Sequence, residues 1–278
     1  LPSVLFGLGS VYLVYLLGTL LFSVEAGLIS ALLLAVTVNH VYVSRIGLQE
    51  SYVIFFILLS LYYFFKVDKK SKNFIYSGIA VGFGLLAKYT VGIVFPIIVT
   101  YTLLFKREYL RRSKFWIGGL LSLVIFLPVI IYNIEMYRAV GHFDFQISAM
   151  MGDRPEVWPV QPGKEIGTMA DRIRAYIPNL SYTNSPTLMF LFLLSIMAFI
   201  YSLYKVQPCF KVEPCRSGVW FFLVSFFWVA LLMLAIGPQF RFLTLLTPFI
   251  ALASGYFLYS TYNYLLGSNA SKFLKIVA

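Results

Sequence analysis

Ser44-Arg45-Ile46-Gly47-Leu48-Gln49-Glu50-Ser51 is a charged break between two long apolar runs, roughly 26–43 and 51–65. Neither Arg45 nor Glu50 can rest in hydrocarbon, where a central charge costs roughly 2.5–3.5 kcal/mol even on the lenient insertion scale. The break therefore belongs at a membrane surface, and the runs beside it read as spanning helices.

The same alternation recurs along the chain. Hydrophobic residues make up 60% of the sequence, charged residues 12%, and the mean hydropathy is +0.84. The charges are bunched between apolar stretches instead of being spread at helical spacing, which excludes an ordinary soluble core. A membrane β-barrel would show ten-residue alternating segments with polar lumen positions, and these are absent. Nine apolar segments can be marked, near 3–22, 26–43, 51–65, 73–87, 90–105, 115–134, 186–204, 218–236 and 242–262. The chain reads as an all-α polytopic membrane protein with about nine transmembrane helices. It divides into N-terminal helices over 1–134, an external loop over 135–185 and C-terminal helices over 186–278.

Loop charge orients the bundle. With nine spans, Lys66 to Lys72, Lys106 to Lys114, Lys205 to Arg216 and the tail with Lys272 and Lys275 share one side. That side holds 14 of the 22 Lys and Arg residues with 4 acids, against 8 basic residues and 7 acids on the other. The first side is expected to be cytoplasmic. Arg45, Glu50, Lys88, Arg241 and the long loop then lie outside. The net charge of +11 is thus explained by an anionic inner leaflet, and no nucleic-acid partner is expected.

In the external loop, Ile166, Met169, Ala170, Ile173, Tyr176 and Ile177 fall at helical spacing, with Lys164, Glu165, Thr168, Asp171 and Arg172 mostly on the other face. This predicts an amphipathic helix along the outer surface, ended by Pro178. The turn-rich segments Gly152-Asp153-Arg154-Pro155 and Trp158 to Gly163 precede it. The chain enters an apolar run at Leu1-Pro2-Ser3 with no initiator Met or basic leader, so it is expected to begin inside a longer protein.

Outward basic residues at helix ends can seat a phosphate at headgroup depth, Arg as a fork and Lys as a point charge. A carboxylate nearby could deprotonate an acceptor hydroxyl or hold a metal. Each residue also has a plainer reading. Arg45 and Glu50 could simply terminate two helices, Lys88 and Arg241 could snorkel from helix ends, and Asp144 and His142 could be ordinary loop residues. Glu25 and Glu213 fall on the other side. Cys209, Cys215, His40 and His142 lack zinc-ligand spacing, so no metal site is expected from them.

The order of these elements resembles a known pattern. Leu1-Pro2-Ser3 opening a span, Ser44 to Glu50 between spans, Gly82 to Tyr89 ending in Ala-Lys-Tyr, and Gln239-Phe240-Arg241-Phe242 followed by Pro248 resemble the GT-C glycosyltransferases. More narrowly, they look like the dolichyl-phosphate-mannose protein mannosyltransferase, aminoarabinose transferase and RgtA/B/C/D-like group. The resemblance implies a GT-C-like bundle that takes a sugar from a polyprenyl (dolichyl or undecaprenyl) phosphate carrier. It implies transfer with inversion to a protein, lipid or glycan hydroxyl on the outer face of the plasma membrane. Carried onto this chain, it gives Arg45, Lys88 and Arg241 as carrier-phosphate ligands. Glu50 becomes a tentative catalytic or positioning carboxylate, and Asp144 a weaker substrate-binding candidate.

Family members place their principal catalytic acid in the first external loop, which is expected to lie upstream of Leu1, so this stretch alone is expected to be inactive. No cofactor is implied beyond a possible divalent cation. The rival readings are a multi-pass transporter or flippase, or another lipid-linked surface-polysaccharide transferase. A transporter would carry ionisable residues or broken helices near the midplane, usually with repeat symmetry.

Overall fold

The computed structural model describes residues 1–151, 168–205 and 215–267. Its elements are α-helices joined by short 3-10 turns, with no strand among the described residues. In chain order the helices are α1 (Pro2–Leu21), α2 (Val24–Val36), α3 (Val38–Arg45), α4 (Glu50–Phe65), α5 (Asn73–Ala87), α6 (Val94–Phe105), α7 (Ser113–Val140), α8 (Phe145–Met151), α9 (Met169–Thr183), α10 (Pro186–Lys205), α11 (Cys215–Ile236), α12 (Phe240–Leu243) and α13 (Thr247–Gly267). Short 3-10 turns occupy Tyr89–Ile93, Arg107–Arg111 and Thr244–Leu246. The protein is an all-α polytopic membrane protein.

All nine apolar segments are helical, but a count of nine spans does not follow. Among the described residues four helices are long and apolar enough to cross a membrane alone, and six units qualify if two bent pairs each count as one. Helices α4 and α5 and the stretch Tyr89–Phe105 are apolar but shorter. The expected span 26–43 is broken: α2 and α3 meet at 61°. Thr37, between Val36 and Val38, adopts an extended backbone and turns its hydroxyl back onto the Leu33 carbonyl at 2.7 Å. A run of three β-branched residues is poorly suited to continuous helix, and the hydroxyl supplies a local alternative.

Helix α7 shows what surrounds the bundle. Over 28 residues it leaves Trp116, Leu120, Leu123, Val124, Leu127 and Ile131 exposed. An apolar face of that length is intelligible against acyl chains and not against water. Its other face meets α5 closely: a Cβ on Gly78 would overlap the Gly118 carbonyl. Small residues at a helix crossing let two backbones approach, which is the packing available to helices in lipid. The central core is built on α4, whose Val53, Ile54, Ile57, Leu58, Leu61 and Phe64 are all buried.

The expected amphipathic helix is present as α9. Its start is fixed by a capping box in which the Thr168 side chain accepts from the Asp171 amide and Asp171 accepts from the Thr168 amide at 2.8 Å. Residues 164–167 and the turn-rich stretch before them lie outside the described residues. Pro178 does not end the helix, as the sequence suggested. It sits inside α9, which continues to Thr183. Side-chain bonds from Tyr176 to the Ala230 carbonyl and from Asn179 to the Pro238 carbonyl, at 2.9 and 2.7 Å, pin the helix on both sides of the proline. Those tertiary bonds offset the one amide donor that proline removes. Met169, Ile173 and Ile177, four residues apart, stay exposed as an uncovered apolar stripe.

Candidate functional site

Three chain turns at one end of the bundle build the site. The first joins α3 to α4 through Gly47, whose φ of 77° suits a residue without a Cβ. It delivers Glu50 as the first residue of α4, where the helix macrodipole favours a negative charge. The second lies between α5 and the 3-10 turn Tyr89–Ile93, where Lys88 takes an extended backbone and breaks the helix. The third lies between α11 and α12: Gly237, at φ 104°, turns the chain so that Gln239 opens the short helix carrying Arg241.

The three charges converge. Lys88 Nζ donates to Glu50 Oε1 at 2.9 Å, and Arg241 Nε donates to the same oxygen at 2.8 Å. Glu50 is fully buried and the Lys88 side chain nearly so, whereas Arg241 is 49% exposed. The Phe242 ring lies beside both cations, 4.9 Å from Lys88 Nζ and 5.4 Å from the Arg241 guanidinium carbon. One carboxylate against two cations leaves the cluster with net positive charge. Arg241 reaches Glu50 through Nε, so its two terminal amino groups remain as donors at the exposed edge. The second oxygen, Glu50 Oε2, is buried with no hydrogen-bond partner among the described residues.

Arg45 is not part of this cluster. It ends α3 exposed, and no described residue pairs with it, although the turn that could have brought it to Glu50 is there. Asp144 stands in a neighbouring network. Its Oδ1 accepts from the Ile147 amide at 2.9 Å, and its Oδ2 accepts from the Tyr89 hydroxyl and from Asn133 Nδ2, the latter at 3.0 Å. Burial pushes the Asp144 carboxyl up, but these donors outweigh it and hold the group below the usual carboxylate range. Asp144 thus caps α8 and anchors Tyr89, the residue next to Lys88. His142 Nδ1 lies 2.8 Å from the Phe143 carbonyl oxygen.

Helix α9 leans on the third turn. Besides the Asn179 bond, the Tyr182 ring packs on Phe240 with centroids 4.6 Å apart, and Thr183 Oγ1 donates to the Phe240 carbonyl at 3.4 Å. The amphipathic helix and the Arg241 turn are therefore mechanically linked. On the other flank Asn39 of α3 donates to Thr244 just after α12. Asn39, Tyr89, Asn133 and Phe242 were given no role from the sequence. Tyr89 and Phe242 lay within quoted motifs, Ala-Lys-Tyr and Gln239-Phe240-Arg241-Phe242, whereas Asn39 and Asn133 carried no local signal.

No three His, Cys, Asp or Glu side chains converge as metal ligands among the described residues. Cys209 lies outside the described residues. The site's chemistry is that of a braced cationic edge with one spare carboxylate oxygen beneath it.

Residues 1–132 match the family model of dolichyl-phosphate-mannose-protein mannosyltransferases. The match runs from α1 into α7 and includes Arg45, Glu50 and Lys88, while Arg241 and Asp144 lie beyond it. It supports the resemblance to GT-C mannosyltransferases and, at that level, a membrane glycosyltransferase. No curated protein matches the chain.

Proposed function

We propose that the protein transfers a sugar from a polyprenyl-phosphate carrier to a hydroxyl acceptor at the outer face of the membrane, with inversion, and that the Glu50, Lys88 and Arg241 cluster holds the carrier phosphate. The observation that carries this reading is the pairing of two cations on one buried carboxylate at a helix end, with the amino groups of Arg241 turned to the exposed side.

The leaving group would be a phosphate monoester whose charge grows as the bond to the anomeric carbon breaks. Donors fixed in advance and aimed at that oxygen lower the barrier more than donors that must reorganise. Glu50 fixes them. Its Oε1 is taken by two cations, so its first role is to position Lys88 and Arg241, and a proton-accepting role would fall to Oε2. As the acceptor oxygen bonds to the anomeric carbon, the hydroxyl proton passes to a carboxylate base. The resemblance places the principal acid of family members in the first external loop. Arg45, exposed one turn from Glu50, would meet the carrier only as an outer contact, and Asp144 would act through Tyr89 on the placement of Lys88. Met169, Ile173 and Ile177 on α9 would rest on the bilayer surface beside the Arg241 turn.

The test is sugar transfer in proteoliposomes by the natural gene product, with a polyprenyl-phosphate sugar as donor and recovered glycoconjugate as readout. Arg241→Ala is expected to lower turnover roughly 100-fold or more, the scale of losing one transition-state donor. Transfer that persists unchanged in that variant, or activity confined to nucleotide-sugar donors, would sink the reading.

A further inference from the structure

The opposite end of the bundle holds a second charged feature that sugar transfer does not use. A cavity of about 460 Å³ opens where α1, α4 and α6 finish, a size within the range of roughly 300–1,000 Å³ usual for ligand sites. Its polar wall carries Tyr62, Lys66, Lys69, Lys106 and Tyr109. Lys66 Nζ donates to the Tyr62 hydroxyl at 2.7 Å, which keeps the ammonium at the cavity wall. The acid in the lining, Asp68, is already matched, by Lys106 at 3.0 Å and Arg112 at 3.6 Å. Among the described residues no acid pairs with Lys66 or Lys69, so the cavity favours an anion.

The remaining wall argues for what the anion is attached to. Leu16 and Leu20 of α1 and Phe65 of α4 give the cavity an apolar side. Phe64 lines it too and also borders an apolar groove of about 200 Å³ between α4, α5, α6 and α7. A free phosphate would have no use for these surfaces, whereas a lipid fits both, its phosphate on the lysines and its chains along the apolar wall.

We propose that this cavity binds the headgroup of an anionic phospholipid from the leaflet opposite the Glu50 end. Basic pockets at helix ends on the positively charged side of membrane proteins take such headgroups through charge, and the aromatic and aliphatic wall sets the depth. Occupancy would tie the end of α4, which begins at Glu50, to the ends of α1 and α6. The lipid is structural and is not the sugar carrier.

The test is native mass spectrometry of the full chain in detergent, titrated with phosphatidylglycerol, phosphatidylcholine or inorganic phosphate. Phosphatidylglycerol is expected to bind in preference to phosphatidylcholine. The pair Lys66→Ala and Lys69→Ala should weaken it roughly tenfold or more, while Lys66→Arg with Lys69→Arg retains it. The charge-matched pair Lys70→Ala and Lys72→Ala, outside the cavity, should leave it unchanged. Equal binding of the two lipids, equal loss in the control pair or loss in the arginine pair would overturn the proposal. So would inorganic phosphate binding as tightly with the same dependence on Lys66 and Lys69, which would make the ligand a free anion. Arg241→Ala, which impairs the transfer site at the far end, should not alter lipid binding, so failure of the transfer reading and failure of this one are separable.

Discussion

Glu50 and Arg241 lie 191 positions apart in the sequence and 2.8 Å apart in space, and the Glu50 oxygen that Arg241 meets also accepts from Lys88. The first and last thirds of the chain are thereby joined at one carboxylate. Whatever the site binds, its cations are held by an internal counter-charge and do not wait for ligand to order them.

The stability consequence follows directly. Glu50→Ala strips the counter-charge from a nearly buried lysine and is expected to destabilise the fold by about 3–5 kcal/mol, the cost of orphaning a buried ion-pair partner. Arg241→Ala removes a half-exposed partner while Lys88 still satisfies Glu50, so its cost should be much smaller. Unfolding in mixed micelles would rank the two; an equal loss would show that Arg241 is also a structural anchor.

Asp144 offers a pH test. Its folded carboxyl sits below its ordinary value. The stabilisation is therefore present above the unfolded value of about 3.9 and is lost as pH falls through the folded value. Asp144→Ala should cost about 1–2 kcal/mol at neutral pH through the lost cap. The gap between variant and wild type should close on acidification below about pH 4. A gap that stays constant with pH would mean that the charge of Asp144 contributes nothing.

The α5 and α7 crossing gives a packing test. Gly78→Ala would push a methyl into the Gly118 carbonyl, and since that obstacle is backbone the helices must separate. A loss of roughly 1–3 kcal/mol is expected. Gly119→Ala is the control, because its Cβ would meet nothing within 4 Å.

How much of this was legible in the sequence depends on the range of the interaction. The helices were readable because each apolar run announces itself within about twenty residues. The break at Thr37 was less so, since three β-branched residues weaken a helix without forbidding it. Pro178 misled: a proline usually ends a helix, and only the bonds of Tyr176 and Asn179 to residues 54 and 59 positions away explain why α9 runs on. Loop parity put Glu50, Lys88 and Arg241 on one side, but nothing local says that they share an oxygen. Arg45, on the same side and nearer in sequence to Glu50, looked equally apt and stayed apart. The Asp144 network was hidden because Tyr89 and Asn133 are ordinary residues until α7 and the 3-10 turn bring them together.

The phosphate role proposed for the Glu50 end is tested most directly by measuring the binding of a polyprenyl phosphate to the wild-type protein and to Arg241→Ala. A lost charge-assisted hydrogen bond is worth about 1.5–3 kcal/mol, so binding should weaken roughly 10- to 100-fold. Lys69→Ala, at the far end of the bundle, should leave it unchanged. Equal affinity of wild type and Arg241→Ala would contradict a carrier-phosphate site at this cluster.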